Sequence, residues 1–186
     1  MKTVLKRLSF LSKQILFYYI CEYLIRFMKT PDSLNQVALF HEIFNVPVVD
    51  MPQVPSEARC ELRVALLEEE LRELKQAIEE KDLTAVADAL CDLHYVLSGA
   101  VLEFGLGKKF ASLFDEVHRS NMSKACNNEK EAQETVDFYS TNGEECTYKK
   151  SGIKYHVHRV ADDKVLKNKY YSPANLSTII EQKDEE

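Results

Sequence analysis

The sequence predicts an all-α domain followed by a small β-hairpin near its C-terminus. Two long segments have apolar residues at helical spacing, and only one later stretch alternates as a strand would. The chain has 186 residues with 5 Gly and 5 Pro, which disfavours low-complexity and wholly disordered classes. With 45% hydrophobic residues it can fill one sizeable core, so one main domain is expected.

The charge and the cysteines exclude several classes of function. A net charge of −6 disfavours a surface that coats nucleic acid, because phosphate binding needs clustered Lys and Arg. The five cysteines are widely spread and form no CxxC pair, so neither a disulfide framework nor a thiolate zinc site is expected. These features predict a protein of the reducing cytoplasm.

The chain divides into three parts by composition. Residues 1–29 form a basic and apolar extension, residues 30–125 the helical domain, and residues 126–186 a C-terminal extension with the hairpin and an acidic tail. The apolar run in the first part is too short for a membrane-spanning helix. Three interpretations of it stay open: an additional amphipathic helix, an upstream extension with the working start at Met28, and a membrane or targeting segment.

The helical domain begins with two helices joined by an extended connector. Asp32 or Ser33 caps the first helix, and apolar residues follow at helical spacing. Prolines then impose an extended chain, because each removes a donor and restricts the residue before it. These prolines are Pro47, Pro52 and Pro55. Ser56 can cap a long helix that runs to about Lys81.

Two further helices and the hairpin follow. A second long helix runs from Leu83 to about Phe104 and is ended by Gly105. A third helix spans Lys108 to about Arg119. The alternation at Thr147–Tyr148 and Ile153–Val160, around a Ser-Gly turn, predicts the β-hairpin.

Acidic residues of the first long helix lie where an apolar face is expected. On a helical wheel with Leu62 at zero, Glu73 falls near about 20° and Glu70 near about 80°, within the apolar arc. Glu69 lies at the edge of that arc. An ordinary solvated face explains other glutamates of this helix but not Glu70 and Glu73. Burial of unpaired carboxylates costs several kcal/mol, so a compensating cation is expected.

The second long helix has a similar pair of acids. From Leu83 to Leu102, Asp88 and Asp92 are its only charged residues, and they lie one turn apart on one stripe. A helix that is apolar nearly all round is expected to be buried. Two carboxylates in mid-segment would be costly in lipid, so a membrane span is disfavoured. Pairing with a buried Arg, or capping of a neighbouring helix, is the structural alternative.

Two acidic stripes on successive antiparallel helices can converge on a metal ion. Carboxylate oxygens are hard ligands, which suit Mg²⁺ or Mn²⁺, and the absence of a Cys/His cluster argues against zinc. The chemistry expected of such a site is metal-assisted attack of water on a phosphoanhydride.

Three motifs give a resemblance to a known family. The run Arg63–Leu74 resembles the EExxE helix of the MazG-like all-α NTP pyrophosphohydrolases, and Ala87–Val96 resembles the helix that follows it there. The run Val117–Lys124, which reads VHRSNMSK, resembles a motif of the subgroup close to phosphoribosyl-ATP pyrophosphohydrolase and the MazG-like dUTP hydrolases. A weaker similarity continues at Lys164–Lys167 and Tyr171–Pro173.

The resemblance implies a four-helix-bundle-type core assembled as a homodimer or homotetramer. It implies hydrolysis of a nucleoside triphosphate or related nucleotide to the monophosphate and pyrophosphate with Mg²⁺ or Mn²⁺. The net charge predicts no nucleic-acid partner, and the two mid-helix aspartates disfavour a membrane. Glu69 would be a metal ligand or the base that orients water, and Asn121 and Lys124 would contact nucleotide. The implied catalytic residues are Glu69, Glu70 and Glu73, and the implied metal ligands are Glu70, Glu73, Asp88 and Asp92.

One position departs from the family pattern. The second acidic helix of the family usually reads ExxD, and Ala85 stands at the Glu position here. Asp92 compensates for the missing carboxylate, or the site binds one metal ion instead of two, or it binds nucleotide without turnover. The alternative function is therefore a catalytically weak or inactive nucleotide-binding helical oligomer. A plain interaction module, with carboxylates paired to Arg across an interface, is a third possibility.

The C-terminal extension allows two interpretations. Its Lys164, Lys167, Tyr170 and Tyr171 either close over a nucleotide or belong to an ordinary surface extension, which we favour slightly. His156 and His158 alternate on one predicted strand and therefore share a face. No third ligand lies near them in the sequence, so a structural role is expected.

Overall fold

A computed structural model of the protein describes residues 29–182. The described part is mostly helical, with a two-stranded antiparallel hairpin towards its C-terminus, so the predicted all-α class with a hairpin holds there. The interpretations of the basic N-terminal segment fall on residues 1–28, outside the described residues.

The described elements follow the predicted order, with two additional helices. They are α1 (Ser33–Ile43), α2 (Glu57–Glu80), α3 (Leu83–Glu103), a 3₁₀ turn (Gly107–Lys109), α4 (Phe110–Met122), α5 (Glu129–Thr141), β1 (Cys146–Ser151), β2 (Lys154–Arg159) and α6 (Ser177–Glu181).

A two-residue turn reverses the chain between the two long helices. Lys81 takes a left-handed conformation with φ of 57° and ends α2. The carboxylate of Asp82 then accepts hydrogen bonds from the backbone N–H groups of Thr84 and Ala85, which satisfies donors at the start of α3. The two long helices therefore pack against each other along their lengths, as convergence of their acidic stripes requires.

Helix α5 is the longer of the two helices that the sequence analysis missed, the other being α6. Asn128 caps it by accepting from the N–H of Glu131 at 2.9 Å, and the Glu131 carboxylate accepts from the N–H of Asn127 at 2.8 Å. This reciprocal arrangement is a capping box. The helix is polar on most of its surface, which conceals its narrow apolar side in the sequence. Its buried Ala132 packs beneath the hairpin.

The hairpin has its own small core. β1 pairs with β2 in antiparallel register, with Lys150 opposite Tyr155. One hairpin face contributes Val157 to a buried cluster that also contains Cys126, Ala132 and Leu166. His156 and His158 lie on the other face and contact each other through ring nitrogens, as their shared face predicted. His158 is buried beside Asp163, at 3.6 Å from Nδ1 to Oδ1.

Helix α3 is less buried than its composition predicted. Leu83, Leu90 and Leu97 are 80%, 51% and 44% exposed. Within the described chain α3 packs mainly on α1 and α2, which leave its remaining side uncovered, so a closed four-helix bundle is not formed there. Among residues 29–182, α3 alone is long and apolar enough to cross a bilayer by length and composition, a test that core helices of soluble proteins also pass.

A buried charge network connects α1, α2 and α3. Glu103, 1% exposed, pairs with Arg59 and Arg63, the latter at 2.5 Å. Arg63 also donates to His41 Nε2 at 3.2 Å, and His41 Nδ1 lies 2.8 Å from the carbonyl oxygen of Pro47, to which it donates. This pattern requires a neutral imidazole, because a second ring proton would face the Arg63 guanidinium.

We expect this network to make stability fall in acid. Burial lowers the pKa of His41 below its ordinary 6.5, with a further lowering from the charge of Arg63. The unfolded chain therefore binds a proton at pH values where the folded chain resists it, and stability is lost as pH falls below about 6.5. The melting temperature should decrease between about pH 7.5 and 5.5, and the decrease should be smaller in His41→Asn. An equal decrease in both proteins would contradict the assignment. The decrease in melting temperature that remains in the variant is due to other groups, such as His156, whose pKa is also lowered.

Candidate functional site

The glutamates of α2 face the acidic residues of α3. Glu70 is half-buried, whereas Glu69 and Glu73 are exposed. Burial raises the pKa of Glu70, and the negative charges of Asp92, Glu73, Glu69 and Asp88 raise it further, in that order. Because such charge effects need proximity, the five predicted carboxylates lie around one another.

Burial of the carboxylates is only partial, which corrects the expectation from the helical wheel. Asp92 is half-buried like Glu70, and Asp88 is exposed. The reason is the open side of the long helix pair, where no further described helix covers the acids. We name these five residues the acidic cluster: Glu69, Glu70, Glu73, Asp88 and Asp92.

No cation neutralises the acidic cluster within residues 29–182. None of its members takes part in an ion pair of the described chain. Arg63, the one buried arginine of the described residues, pairs with Glu103 at the far end of α3 instead. Pairing with a buried Arg, which was the structural alternative for Asp88 and Asp92, therefore does not occur in the described part of the chain.

The side chains of the cluster do not already enclose an ion. No three His, Cys, Asp or Glu residues of the described chain are placed so that they could hold one metal together. The five carboxylates carry like charges, which repel one another.

Ala85 lies close to the acidic cluster, as the family pattern predicted. It is half-buried in the first turn of α3, three residues before Asp88. Its backbone N–H is held by the Asp82 cap at 3.1 Å. The position therefore has a fixed backbone, and its methyl group contributes no ligand.

The predicted nucleotide-binding residues lie together at the end of α4. Lys124 Nζ donates to Asn121 Oδ1 at 2.8 Å, and α4 ends at Met122 between them. No hydrogen bond or ion pair of residues 29–182 joins either residue to the acidic cluster. The structure thus pairs Asn121 with Lys124, and no direct bond of the described residues links this pair to the five carboxylates.

A C-terminal segment fixes this end of α4, and sequence reasoning did not foresee its path. We call residues 168–175 the strap. Tyr171 OH lies 2.9 Å from Ser120 Oγ, and the N–H of Ser172 donates to Ser123 Oγ at 3.0 Å. Arg119 donates to the carbonyl oxygen of Pro173 at 3.0 Å. The strap therefore packs on the VHRSNMSK motif, and the choice between closure over a nucleotide and an ordinary surface extension stays a prediction.

Charge reinforces the contact between the strap and α4. The Arg119 guanidinium, and then the backbone N–H of Asn175, lower the pKa of Glu116 to about 2. That N–H donates to Glu116 Oε1 at 2.8 Å. Because Arg119 and Glu116 contact each other and also the strap, the Arg of the motif and the preceding Glu116 hold the strap, while Asn121 is exposed and Lys124 half-buried.

The network around Glu103 was also missed, although the sequence contains a signal for it. Arg63 falls at about 100° on the wheel that placed Glu70 in the apolar arc. Glu103 directly follows the segment in which Asp88 and Asp92 were the only charges. Gly99 provides the room, since a Cβ there would lie 2.6 Å from Arg63 Nη1.

Comparison with known proteins agrees with the motifs. An uncharacterized protein of Acanthamoeba polyphaga mimivirus is 39% identical over 82 residues, which cover 41% of this chain. The match spans about a third of that protein's length (33%). Residues 37–121 match the family model described as phosphoribosyl-ATP pyrophosphohydrolase, and this segment contains the whole acidic cluster and Asn121. The match over residues 37–121, which is somewhat less than half of the chain, confirms the resemblance that its motifs predicted.

Proposed function

We propose that the protein is a metal-dependent pyrophosphohydrolase that cleaves a nucleoside triphosphate or related nucleotide to the monophosphate and pyrophosphate. The family supports a nucleotide pyrophosphohydrolase-like function in general. The observation that favours the specific proposal is the acidic cluster, in which four other carboxylates from two helices lie around Glu70 without a described cationic partner.

The donor set of the cluster fits Mg²⁺ or Mn²⁺. Its groups are all carboxylates, they come from two rigid helices, and they lie on an open side that leaves room for water and phosphate oxygens. Glu70, Glu73, Asp88 and Asp92 would hold the ion. When bound, the ion supplies charge neutralisation at the phosphoanhydride and lowers the pKa of water.

The residues outside the proposed ligand set have separate roles. Glu69 is exposed on α2 beside Glu70, where its carboxylate can accept a proton from an attacking water. Asn121 and Lys124 bind the nucleotide through an amide and an ammonium group, which suit phosphate oxygens. Since they lie apart from the cluster in one chain, the nucleotide would connect the two sets.

We also propose that the protein acts as a homodimer or homotetramer in the cytoplasm. Leu83, Leu90 and Leu97 of α3 and Leu71 of α2 are exposed in the single chain. Contiguous apolar patches of this kind are characteristic of protein interfaces. A second copy placed on them would complete a bundle around α3 and reduce the exposure of the acids.

Pyrophosphate release from a panel of ribo- and deoxynucleoside triphosphates tests the proposed function. The full chain is assayed with Mg²⁺, with Mn²⁺ and with EDTA. We expect release that depends on metal and prefers one base. Metal-dependent nucleotide binding by calorimetry without release would contradict turnover and support the non-catalytic alternative.

Ala85→Glu is expected to strengthen metal binding at this site. It restores a carboxylate one turn before Asp88, and affinity for hard divalent cations rises with the number of charged oxygen ligands. The Mg²⁺ concentration that gives half-maximal hydrolysis should fall roughly tenfold.

Ala87→Glu is the matched control for this substitution. Ala87 is exposed on the same helix, two residues further on and pointing away from Ala85. The control should leave the Mg²⁺ dependence unchanged. No difference between the two variants would mean that position 85 is not a ligand position and that Asp92 already fills the role.

A further inference from the structure

The backbone next to Lys167 lies directly against the end of the VHRSNMSK motif. The N–H of Asn168 donates to the carbonyl oxygen of Lys124 at 3.2 Å. The Asn168 side chain, 5% exposed, donates to the Ala125 carbonyl oxygen at 3.3 Å and accepts from the N–H of Tyr170 at 3.1 Å. Lys167 and Lys124 are therefore neighbours across a fixed backbone contact.

An aromatic ring directs the Lys167 ammonium towards α4. Lys167 Nζ lies 4.6 Å from the centre of the Tyr171 ring. The hydroxyl of that ring reaches Ser120, which is four residues before Lys124. A cation above an aromatic face keeps its N–H donors free for an anion, since the ring interacts with the charge alone.

Neither lysine is neutralised within the described chain. Lys124 donates to Asn121 Oδ1, a neutral acceptor, and neither Lys124 nor Lys167 forms an ion pair in residues 29–182. Other lysines of the extension differ, since Lys149 pairs with Asp163 at 2.8 Å. Two lysines without a carboxylate partner, whose backbones lie side by side, can direct their ammonium groups onto one anion.

We propose that Lys167, supplied by the C-terminal extension, completes a phosphate-binding surface with Lys124 and Asn121. This inference rests on the proposed function, in which Asn121 and Lys124 bind the nucleotide, and it adds a residue beyond the family-matched segment. The hydrogen bond from the Asn168 N–H to the Lys124 carbonyl oxygen fixes the backbone beside both lysines. The Tyr171 ring orients the Lys167 ammonium. The anion is the pyrophosphate part of the nucleotide.

Binding of inorganic pyrophosphate with Mg²⁺, measured by calorimetry on the full chain, tests the proposal directly. Lys167→Ala should weaken the affinity for pyrophosphate about tenfold, because it removes one charge-assisted contact. Lys167→Arg should restore most of the affinity. Lys167→Ala with Lys124→Ala should cost less than the sum of the single changes, because both groups bind one anion.

Lys169→Ala is the matched control. Lys169 Nζ also lies above a tyrosine ring, 5.7 Å from the centre of Tyr170, but that hydroxyl donates to Glu134 on α5 instead of reaching α4. The control should change pyrophosphate affinity by no more than about twofold. Equal effects of the two substitutions, or no pyrophosphate binding by the wild-type chain, would overturn the inference.

The same variants separate this inference from the proposed function. If the wild-type chain hydrolyses nucleotides and Lys167→Ala leaves both the KM and pyrophosphate affinity unchanged, the inference fails and the function stands. If no nucleotide is hydrolysed but pyrophosphate binding depends on Lys167 and not on Lys169, the function fails and the phosphate-binding surface stands.

Discussion

Glu73→Gln is expected to abolish nucleotide hydrolysis while the helical fold survives. Glu73 is exposed on α2, so the amide replaces the carboxylate without loss of packing. The change removes one negative oxygen ligand from the acidic cluster. Since a bound metal contributes several kcal/mol to stabilisation of charge in the transition state, the rate should fall at least ~100-fold. Steady-state pyrophosphate release measures the loss of hydrolysis, and far-ultraviolet circular dichroism measures the survival of the helical fold.

Glu79→Gln is the control for the loss of a charge from the same helix. Glu79 is exposed and lies 4.0 Å from Lys75, away from the cluster. Its replacement should leave the rate near that of the wild type. Full activity of Glu73→Gln would contradict the assignment of the site, and equal losses in both variants would indicate a general effect of charge.

Glu103→Gln is expected to have the largest effect on stability. Burial by itself raises the pKa of Glu103, but the bonds and charges of Arg59 and Arg63 outweigh it and hold the pKa below its ordinary value. The amide leaves two guanidinium groups without a carboxylate, and Arg63 is buried. Removal of one partner of a buried pair costs about 3–5 kcal/mol of unfolding free energy. Urea denaturation followed by circular dichroism measures the loss.

A less buried ion pair provides the comparison for this stability prediction. Glu116→Gln removes the carboxylate from the pair with Arg119, whose side chain is 47% exposed, so the loss should be smaller than at Glu103. If Glu103→Gln cost no more than Glu116→Gln, the network around Glu103 would not be what fixes α1, α2 and α3 to one another.

The sequence predicted the acidic cluster because helical geometry relates sequence spacing to position. Glu70 and Glu73 stood out within an apolar arc, and Asp88 and Asp92 were the only charges in their segment. The two pairs converge because a short turn at Lys81 and Asp82 places the two long helices side by side. The predicted ends of the two helices already indicated this turn. Their exposure was not predictable from one chain, because it depends on what covers the open side of α3.

The parts of the fold that were missed depend on contacts distant in sequence. Arg63 and Glu103 are 40 residues apart, and nothing local indicates that they meet. The strap reaches α4 across about 50 residues, as between Ser120 and Tyr171. Helix α5 was missed for the opposite reason, because its capping box at Asn128 and Glu131 is local but its surface is polar.

Product analysis by ³¹P nuclear magnetic resonance tests the central claim most directly. The preferred nucleoside triphosphate is incubated with the full chain and Mg²⁺, and a parallel sample contains EDTA. We predict nucleoside monophosphate and pyrophosphate in the Mg²⁺ sample and intact triphosphate in the EDTA sample. Nucleoside diphosphate with orthophosphate, or the same products in both samples, would contradict a metal-dependent pyrophosphohydrolase at the acidic cluster.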